Sequence, residues 1–469
     1  MKKSRTICLV LSFVLLLSGF ALPVRGADDS VHSGCHSVDA AVSLSDEGRL
    51  TDTAEAVILY ELNSGTMLYT YNPDTKIYPT SMVKLMTVLV ALEKGNLQDQ
   101  VTVTRKALNS VAIGSVSANL KTGEVLTLED LLYCTMTASA NDAAAVVAEH
   151  IAGSQDAFVQ LMNEKAAELG CKGTHYSNAN GLHDEETYTT ARDICRITEA
   201  ALKNEQFKTI FQAASYTVPA TNKSDAREIS TTNKMALVNN KYYDERVTGG
   251  KTGATDKGGR CVTVTAQQNG MDLLCIVMGA KATYDTEVSI SKYGSFEECK
   301  QLLDYAFTGF AYRQVFFDGQ AISQYPVQGG ANQVVTQPAA SASTVLPAKL
   351  DETLIHWVYA QKSAMLQAPV QQGQVIGTVQ VWYGQKCLAQ TDMVAMNAVT
   401  VESDPLIPER PVKEDQGSWK ALAVTLGVFG GVVLVFLAVL ILARFVGNVR
   451  RKARRRRRQR QRERRKANV

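Results

Sequence analysis

A run of 23 residues without a charged side chain, 421–443, lies near the C-terminus of this 469-residue chain. At about 1.5 Å per residue, a helix of that length crosses the roughly 30 Å hydrocarbon core of a bilayer. Lys420 precedes the run, and the tail 444–469 carries 14 Lys and Arg but one Glu. Basic segments stay on the cytoplasmic side of a membrane. The pattern therefore predicts one transmembrane helix, a basic cytoplasmic tail and a body outside the cytoplasm.

The N-terminus carries a second targeting signal. Lys2, Lys3 and Arg5 precede an uncharged stretch rich in Leu and Val, which predicts a signal peptide over 1–26, with an uncleaved anchor helix as the alternative. The net charge of +3 conceals +4 in this segment and +13 in the tail, which leaves −14 for 27–443. An acidic body argues against nucleic acid as a partner. For the tail we favour a topology signal that contacts anionic lipid over nucleic-acid binding.

Composition divides the exported body into four segments. They are a polar spacer at 27–50, a catalytic domain at 51–311, a β-rich domain at 312–402 and a Pro-containing linker at 403–420. In the β-rich domain a soft Gly/Ala/Ser stretch, 329–343, is expected to precede short alternating strands. Cysteines are scattered and several lie in apolar runs, which favours buried free thiols.

The catalytic domain has strand signals at both ends and helical signals between them. Apolar runs surround a turn signal at Asn63-Ser64-Gly65, and strands at Cys261–Ala266 and Met271–Gly279 are joined through Asn269-Gly270. Helices are predicted over 81–93, over most of 129–169 and over 296–307, with a further helix capped by Thr190 and Asp193. This order predicts an α+β domain built on one antiparallel sheet to which both ends contribute.

The first chemical motif is Ser81-Met82-Val83-Lys84 on the first predicted helix. Residues at i and i+3 share a helix face, so the Lys84 amine can lie beside the Ser81 hydroxyl. A serine hydroxyl attacks a carbonyl only when a base removes its proton. A lysine is such a base when burial or another cation lowers its pKa. The pair is weak evidence alone, because a surface helix carries the same spacing by chance.

Two further triplets follow in the chain. Ser139-Ala140-Asn141 precedes an Ala-rich helix, where a hydroxyl can relay a proton and an amide can hold a substrate carbonyl. Lys251-Thr252-Gly253 precedes a strand, where a cation and a hydroxyl suit a substrate carboxylate and glycine permits close backbone approach. In this order the three motifs match the SxxK, SDN and KTG signature of penicillin-binding proteins and class A β-lactamases, with Ala in the middle triplet.

On these motifs the chain resembles the low-molecular-weight D-alanyl-D-alanine carboxypeptidases, the penicillin-binding serine peptidases of bacterial cell walls. The resemblance covers roughly 52–400 and is carried by PTSMVKLMT (79–87), TASANDAA (137–144), NANGLHDEETYTTARD (178–193) and GGKTGATDKGGR (249–260). It implies a β-lactamase/transpeptidase-like catalytic domain, an antiparallel sheet with a helical cluster, followed by a small all-β domain. It also implies removal of D-alanine from peptidoglycan stem peptides ending in D-Ala-D-Ala, acylation by β-lactam antibiotics, and attachment to the cytoplasmic membrane.

The resemblance assigns a role to each motif residue. Ser81 would be the acylated nucleophile, Lys84 its general base, Ser139 the proton relay and Asn141 a ligand of the substrate amide. Lys251 and Thr252, with Gly253 beside them, would hold the terminal carboxylate. The backbone N–H groups of Ser81 and Ala254 would form the oxyanion hole. Ala254 stands where some relatives carry His or another polar residue, which bears on carboxylate recognition. No cofactor is implied, and no CxxC or His-spaced pair indicates a metal site.

A second set of triplets competes with these assignments. Ser117-Ala118-Asn119 and Lys121-Thr122-Gly123 repeat both later motifs within ten residues, too close together to form opposite walls of a cleft. We predict that 114–123 is a surface segment. His175 and His183 could suggest a Ser-His-Asp triad, but no GxSxG sequence surrounds any serine, so His183 is predicted to pack a loop. Arg192-Asp193 is predicted to be structural, at the N-terminus of a helix.

Two other functions stay open at this stage. A serine β-lactamase would need a deacylating glutamate in an ExxLN-like loop, and none occurs between 142 and 250. A β-lactam sensor or wall-binding protein would be acylated without releasing D-alanine.

Overall fold

The computed structural model describes residues 49–284 and 290–402, together with positions 437, 439 and 444. The chain up to 401 forms one unit and residues 402–469 another, of which only residue 402 and those three helical positions are described. Within the described residues, no helix combines the length and hydropathy that a bilayer crossing requires. The predicted signal peptide, nearly all of the spacer, the linker, the transmembrane helix and the tail lie outside the described residues, apart from the three positions named.

The first part of the body combines strands and helices. Its strands are β1 (Ala56–Glu61), β2 (Thr66–Tyr71), β3 (Gln100–Thr102), β4 (Val125–Thr127), β5 (Ser215–Val218), β6 (Arg227–Ser230), β7 (Val247–Thr255), β8 (Gly259–Gln268), β9 (Met271–Ala280), β10 (Ala282–Tyr284) and β11 (Ile290–Tyr293). Its helices are α1 (Val83–Lys94), α2 (Arg105–Asn109), α3 (Leu128–Met136), α4 (Asn141–Ala152), α5 (Gln155–Glu168), α6 (Ala191–Leu202), α7 (Glu205–Gln212) and α8 (Gly294–Gly309).

The main sheet draws its strands from both ends of this part. Its order is β2-β1-β9-β8-β7 and each neighbouring pair is antiparallel. This confirms the predicted α+β domain with one antiparallel sheet. The hairpin between β8 and β9 turns at Asn269 and Gly270 with φ of 53° and 80°, the left-handed values expected of a mirror-image turn.

Both faces of the sheet are covered, so strand β1 is buried along its whole length. In β1, Ile58 and Tyr60 face a core shared with α1, α3, α4, α6 and α7, whereas Val57 and Leu59 face a second core shared with α8. This split follows the two-residue period of a strand. Helix α1 lies inside the first core, and every residue from Val83 to Ala91 is buried. The motif Ser81–Lys84 therefore leads into a helix that is held in place by the core, unlike a helix on the surface.

The second part is all β. Its strands are β12 (Phe310–Phe316), β13 (Ser323–Tyr325), β14 (Val327–Gln328), β15 (Val334–Pro338), β16 (Ala342–Pro347), β17 (Ile355–Gln361), β18 (Leu366–Gln367), β19 (Val375–Tyr383) and β20 (Lys386–Ala395). The main sheet here has the order β13-β15-β20-β19-β17 around its own core.

Two details of the second part differ from the predictions. The boundary predicted between 311 and 312 falls inside β12, because Phe310 packs in the core of the first part and Phe316 in that of the second. The stretch 329–343 does not only precede the strands but contains strand residues itself. Val334 and Val335 open strand β15, whose alternate residues are buried, and Ala342 begins β16.

Six cysteines are buried free thiols, as predicted; they are Cys134, Cys171, Cys195, Cys261, Cys275 and Cys299. Cys387 is instead disulfide-bonded.

Candidate active site

Ser81 lies at the entry to α1. A short 3-10 turn, Thr80–Met82, runs directly into the helix. One turn along, the Lys84 amine donates a hydrogen bond to the Ser81 hydroxyl, with 3.1 Å between Nζ and Oγ. The i, i+3 spacing thus places a candidate base against a candidate nucleophile.

Lys84 is enclosed on every side. Its side chain is fully buried, and its amine donates to Oδ1 of Asn141 at 2.7 Å and to the backbone carbonyl of Asn180. Burial, reinforced by repulsion from Lys251, holds the pKa of Lys84 well below its usual value, and attraction to Asp142 opposes them only in part. Because its pKa is lowered, this buried amine gives up its proton more readily than an exposed lysine. The neutral form keeps two N–H donors and has a lone pair that can accept the Ser81 proton.

Ser139 occupies the turn between α3 and α4. Its φ of 60° is left-handed, an uncommon conformation for a residue other than glycine and one that costs conformational energy. The Ser139 hydroxyl accepts a hydrogen bond from Nζ of Lys251 at 2.8 Å, and Asn141 begins α4 two residues later. The second motif therefore contacts both lysines, one through Ser139 and one through Asn141.

Strand β7 supplies the opposite wall. Lys251 is fully buried, which lowers its pKa to about 7, and it also donates to the Thr252 carbonyl at 2.8 Å. The Thr252 hydroxyl donates to the hydroxyl of Thr232 over 2.6 Å. The hydroxyl of Thr252 in the third motif and that of Thr232 thus form a pair at the cleft surface, with Lys251 buried behind them.

Gly253 is required by the close approach of β7 to the nucleophile. A Cβ there would lie 2.8 Å from the Ser81 amide nitrogen and closer still to the Thr80 hydroxyl. The backbone of β7 therefore runs beside the Ser81 amide, and Ala254 is the next residue along the strand. Two backbone N–H groups on rigid elements, from Ser81 and Ala254, are the donors that an oxyanion hole needs.

The three motifs converge on one cleft of about 220 Å³. The residues that line it are Ser81, Val116, Ser139, Thr232, Lys234, Thr252, Gly253, Ala254, Arg260, Cys261, Tyr293, Ser295 and Phe296. Lys84, Asn141 and Lys251 are buried behind these residues.

Several contributors to the site were not identified from the sequence. The Asn180 carbonyl that binds Lys84 belongs to an Asn-Gly turn in which Gly181 has φ of 76° and packs on the Thr80 backbone. That dipeptide is a turn signal and could have drawn attention to the loop. Thr232 has no local signal. Thr80 is β-branched yet has φ of 55°, a strained conformation that the sequence does not reveal.

The competing triplets take no part in this constellation, but their segment is more than loose surface. The Asp142 carboxylate accepts hydrogen bonds from the Ser117 hydroxyl at 2.6 Å and from the amides of Ala118 and Leu120. The exposed Lys121 side chain donates a hydrogen bond to the backbone carbonyl of Lys223. The prediction of a surface segment is therefore corrected in two respects. Ala118 and Leu120 are buried where Asp142 anchors the loop, and Val116 lines the cleft.

The histidines and the Arg-Asp pair have structural contacts. The ring of His183 packs edge-to-face on Tyr78, with centroids 4.7 Å apart, and Nδ1 of His175 meets the Glu186 carbonyl at 2.8 Å. The Asp193 carboxylate accepts from the Gly173 amide and from the Thr174 and Arg196 side chains, and the Asp193 amide donates to the Thr190 hydroxyl.

Comparison with known proteins agrees with this geometry. Residues 43–282 match the family model for D-alanyl-D-alanine carboxypeptidase, peptidase S11, and residues 310–401 match the C-terminal domain of penicillin-binding protein 5. Similar relatives include D-alanyl-D-alanine carboxypeptidase DacF of Bacillus subtilis, which is 29% identical over 74% of this chain and 86% of the relative. D-alanyl-D-alanine carboxypeptidase DacA of Haemophilus influenzae is 31% identical over 74% of this chain and 85% of the relative.

Solved structures are similar over the same length. Penicillin binding protein 5 of Haemophilus influenzae matches with a TM-score of 0.60 at 28% identity, covering 76% of this chain and 99% of that one. A peptidoglycan synthesis regulatory factor, PBP3 of Streptococcus pneumoniae, matches with a TM-score of 0.60 at 25% identity, covering 74% and 100%.

Proposed function

The chain belongs to the D-alanyl-D-alanine carboxypeptidase family of serine peptidases, and from that premise we propose how its residues divide the chemistry. It is a serine-type D-Ala-D-Ala carboxypeptidase. The observation that carries the residue assignment is the contact between Ser81 and a fully buried Lys84 whose pKa is held low. An SxxK pair on a surface helix would lack both the burial and the pKa shift.

Acylation begins at Ser81. Its Oγ attacks the carbonyl between the two D-alanines while neutral Lys84 takes the hydroxyl proton. The negative oxygen of the tetrahedral intermediate is held by the amides of Ser81 and Ala254. Ser139, hydrogen-bonded to Lys251, relays the proton that Lys84 took to the departing D-alanine amine, so Lys84 is neutral again for the next step. Water then hydrolyses the Ser81 ester, and the enzyme is regenerated.

Binding is assigned to the residues around this centre. Asn141 lies beside Lys84 and holds the amide of the bound peptide. Thr252, backed by Thr232 and Lys251, receives the terminal carboxylate. The substrate class is peptidoglycan stem peptides that end in D-Ala-D-Ala. β-Lactam antibiotics enter as acylating pseudo-substrates, because they present a strained amide and a carboxylate to the same groups.

We propose the cytoplasmic membrane as the location of the enzyme. The support is in the sequence: the charge-free run 421–443, the basic segment after it and the signal peptide pattern of 1–26. The catalytic body would then face the peptidoglycan, and the linker 403–420 would set its distance from the bilayer.

The test is release of D-alanine from diacetyl-L-Lys-D-Ala-D-Ala by the purified protein, together with covalent labelling by a fluorescent penicillin. Ser81→Ala should abolish both, whereas Ser363→Ala, an exposed serine of the β domain, should change neither. Persistent labelling of Ser81→Ala would reject the nucleophile. Labelling without D-alanine release by the wild type would indicate a β-lactam sensor, and rapid penicillin turnover would indicate a β-lactamase.

A further inference from the structure

The turn formed by residues 178–182 contacts the nucleophile and its base at the same time. The backbone carbonyl of Asn180 accepts a hydrogen bond from the Lys84 amine, so the turn restrains the base. Gly181, the next residue, packs on the backbone at Ser81, where a Cβ would lie 3.1 Å from the Ser81 Cα. Two catalytic groups of the site therefore meet one short turn that lies outside the three motifs.

The contact with Gly181 sets the direction of the Ser81 amide. A Cβ on Gly181 would overlap the Thr80 carbonyl oxygen and lie 2.7 Å from the carbonyl carbon. Since the oxygen is the nearer atom, this carbonyl points toward the turn. The Thr80–Ser81 peptide is trans, and in a trans peptide the N–H points opposite to the C=O. The Ser81 N–H accordingly points away from the turn, toward the side where β7 passes at Gly253.

The Thr80–Ser81 peptide depends on support from outside, because Thr80 has an unfavourable conformation. Its φ of 55° is left-handed, which is rare for a β-branched residue. Such a conformation persists only where the surrounding structure excludes the relaxed ones. Gly181 lies on the carbonyl side of the peptide, and Gly253 lies on the amide side, where a Cβ would be 2.8 Å from the Ser81 nitrogen. Without the support on either side, the amide is free to turn.

One side chain holds the turn together. Oδ1 of Asn178 accepts hydrogen bonds from the backbone amides of Gly181 at 2.7 Å and of Asn180 at 3.3 Å. Nδ2 of the same side chain donates to the Leu182 carbonyl at 3.1 Å. Asparagine side chains commonly stabilise turns by bonding the backbone that follows them. Asn178 therefore fixes the two residues that contact the base and the nucleophile.

We propose that Asn178 is a positioning residue for acylation. Through the turn it orients the Lys84 amine as the base and the Ser81 amide as a donor of the oxyanion hole. It acts through backbone groups and needs no contact with the substrate. The inference rests on the proposed function and deepens it, because it adds a residue that controls two catalytic groups together.

The test is the saturation kinetics of acylation by a fluorescent penicillin, which separate the dissociation constant of the first complex from the acylation rate constant. Asn178→Ala should lower the rate constant about 10- to 100-fold, because a small displacement of positioned groups costs rates of that size. The dissociation constant should change less than about threefold, since the cleft keeps its lining. Asn178→Asp keeps an oxygen that accepts both amide hydrogens and should recover part of the rate.

Asn163→Ala is the matched control. The Asn163 side chain also bonds backbone groups, accepting from the Tyr176 amide at 2.9 Å and donating to the Tyr176 carbonyl at 2.8 Å. These bonds lie in the same loop, two residues before the turn. Asn163→Ala should lower the melting temperature as Asn178→Ala does, yet keep the acylation rate constant within about threefold of wild type.

Each other result has a defined meaning. An equal loss of rate in Asn163→Ala and Asn178→Ala would overturn the inference, because stability of the loop would then explain both. An unchanged rate constant in folded Asn178→Ala, or a change confined to the dissociation constant, would also overturn it. If Asn178→Ala does not fold, Asn178→Ser replaces it, with a smaller loss expected and an unchanged rate constant as the contrary result. A wild-type protein that is not labelled, or labelling that survives in Ser81→Ala, would instead refute the proposed function.

Discussion

Gly253→Ala is expected to slow acylation of Ser81 by about 100-fold or more in a chain that still folds. The added Cβ would lie 2.8 Å from the Ser81 amide nitrogen. Since ordinary van der Waals contact begins at 3.4 Å, strand β7 or the Thr80–Met82 turn has to move by about 0.6 Å or more. A displacement of about 1 Å in a positioned group can cost about 100-fold in rate. Overpacking of this size costs about 1–3 kcal/mol of stability.

The assay is the time course of covalent labelling by a fluorescent penicillin, with a thermal melt of the same samples. Gly309→Ala is the matched control, because a Cβ at the end of α8 meets no atom within 4 Å. It should label at the wild-type rate. A Gly253→Ala protein that labels within about threefold of wild type, the range of neutral substitutions, would refute the close approach of β7 to the nucleophile.

Three further predictions follow from the site and the termini. Lys84→Arg should lose acylation although one basic side chain replaces another, because a guanidinium cannot accept a proton near neutrality, and an active variant would mean that the base lies elsewhere. Ser139→Ala should reduce kcat/KM by about 100- to 1000-fold, whereas exposed Lys121→Ala should change it less than about threefold; the reverse order in folded proteins would reassign the motif. Protease added to intact cells should digest the body and spare a tail epitope, and loss of that epitope would contradict the proposed topology.

Much of the fold could be predicted because its signals are local. The turn at Asn269-Gly270 needs only two residues, and the helix predicted over 81–93 is found as a turn at Thr80–Met82 followed by Val83–Lys94. The strands at both ends implied a shared sheet through a general packing rule. For the same reason the SxxK pair could be proposed as a contact: its geometry is set within a single helical turn.

The remaining features depend on contacts between distant parts of the chain. The Asn180 carbonyl reaches Lys84 across 96 residues, and Asp142 of helix α4 anchors the amides of Ala118 and Leu120 in a distant loop. These contacts use backbone carbonyl and amide groups, which every residue has, so no residue type in the sequence marks them. The left-handed Thr80 persists because neighbouring backbone encloses it, which no propensity of threonine indicates.

The sheet made from both ends of the domain also determines when the enzyme becomes reactive. Val57 of β1 pairs with Val277 of β9, so β1 cannot complete its pairing until a strand synthesised about 220 residues later is present. Until β7, β8 and β9 have been made, the contact between Lys251 and Ser139 is missing, and so is the Ala254 amide of the oxyanion hole. A chain that ends before β7 therefore carries an unreactive hydroxyl, and the competence to form an ester arises only when β7 has joined the sheet.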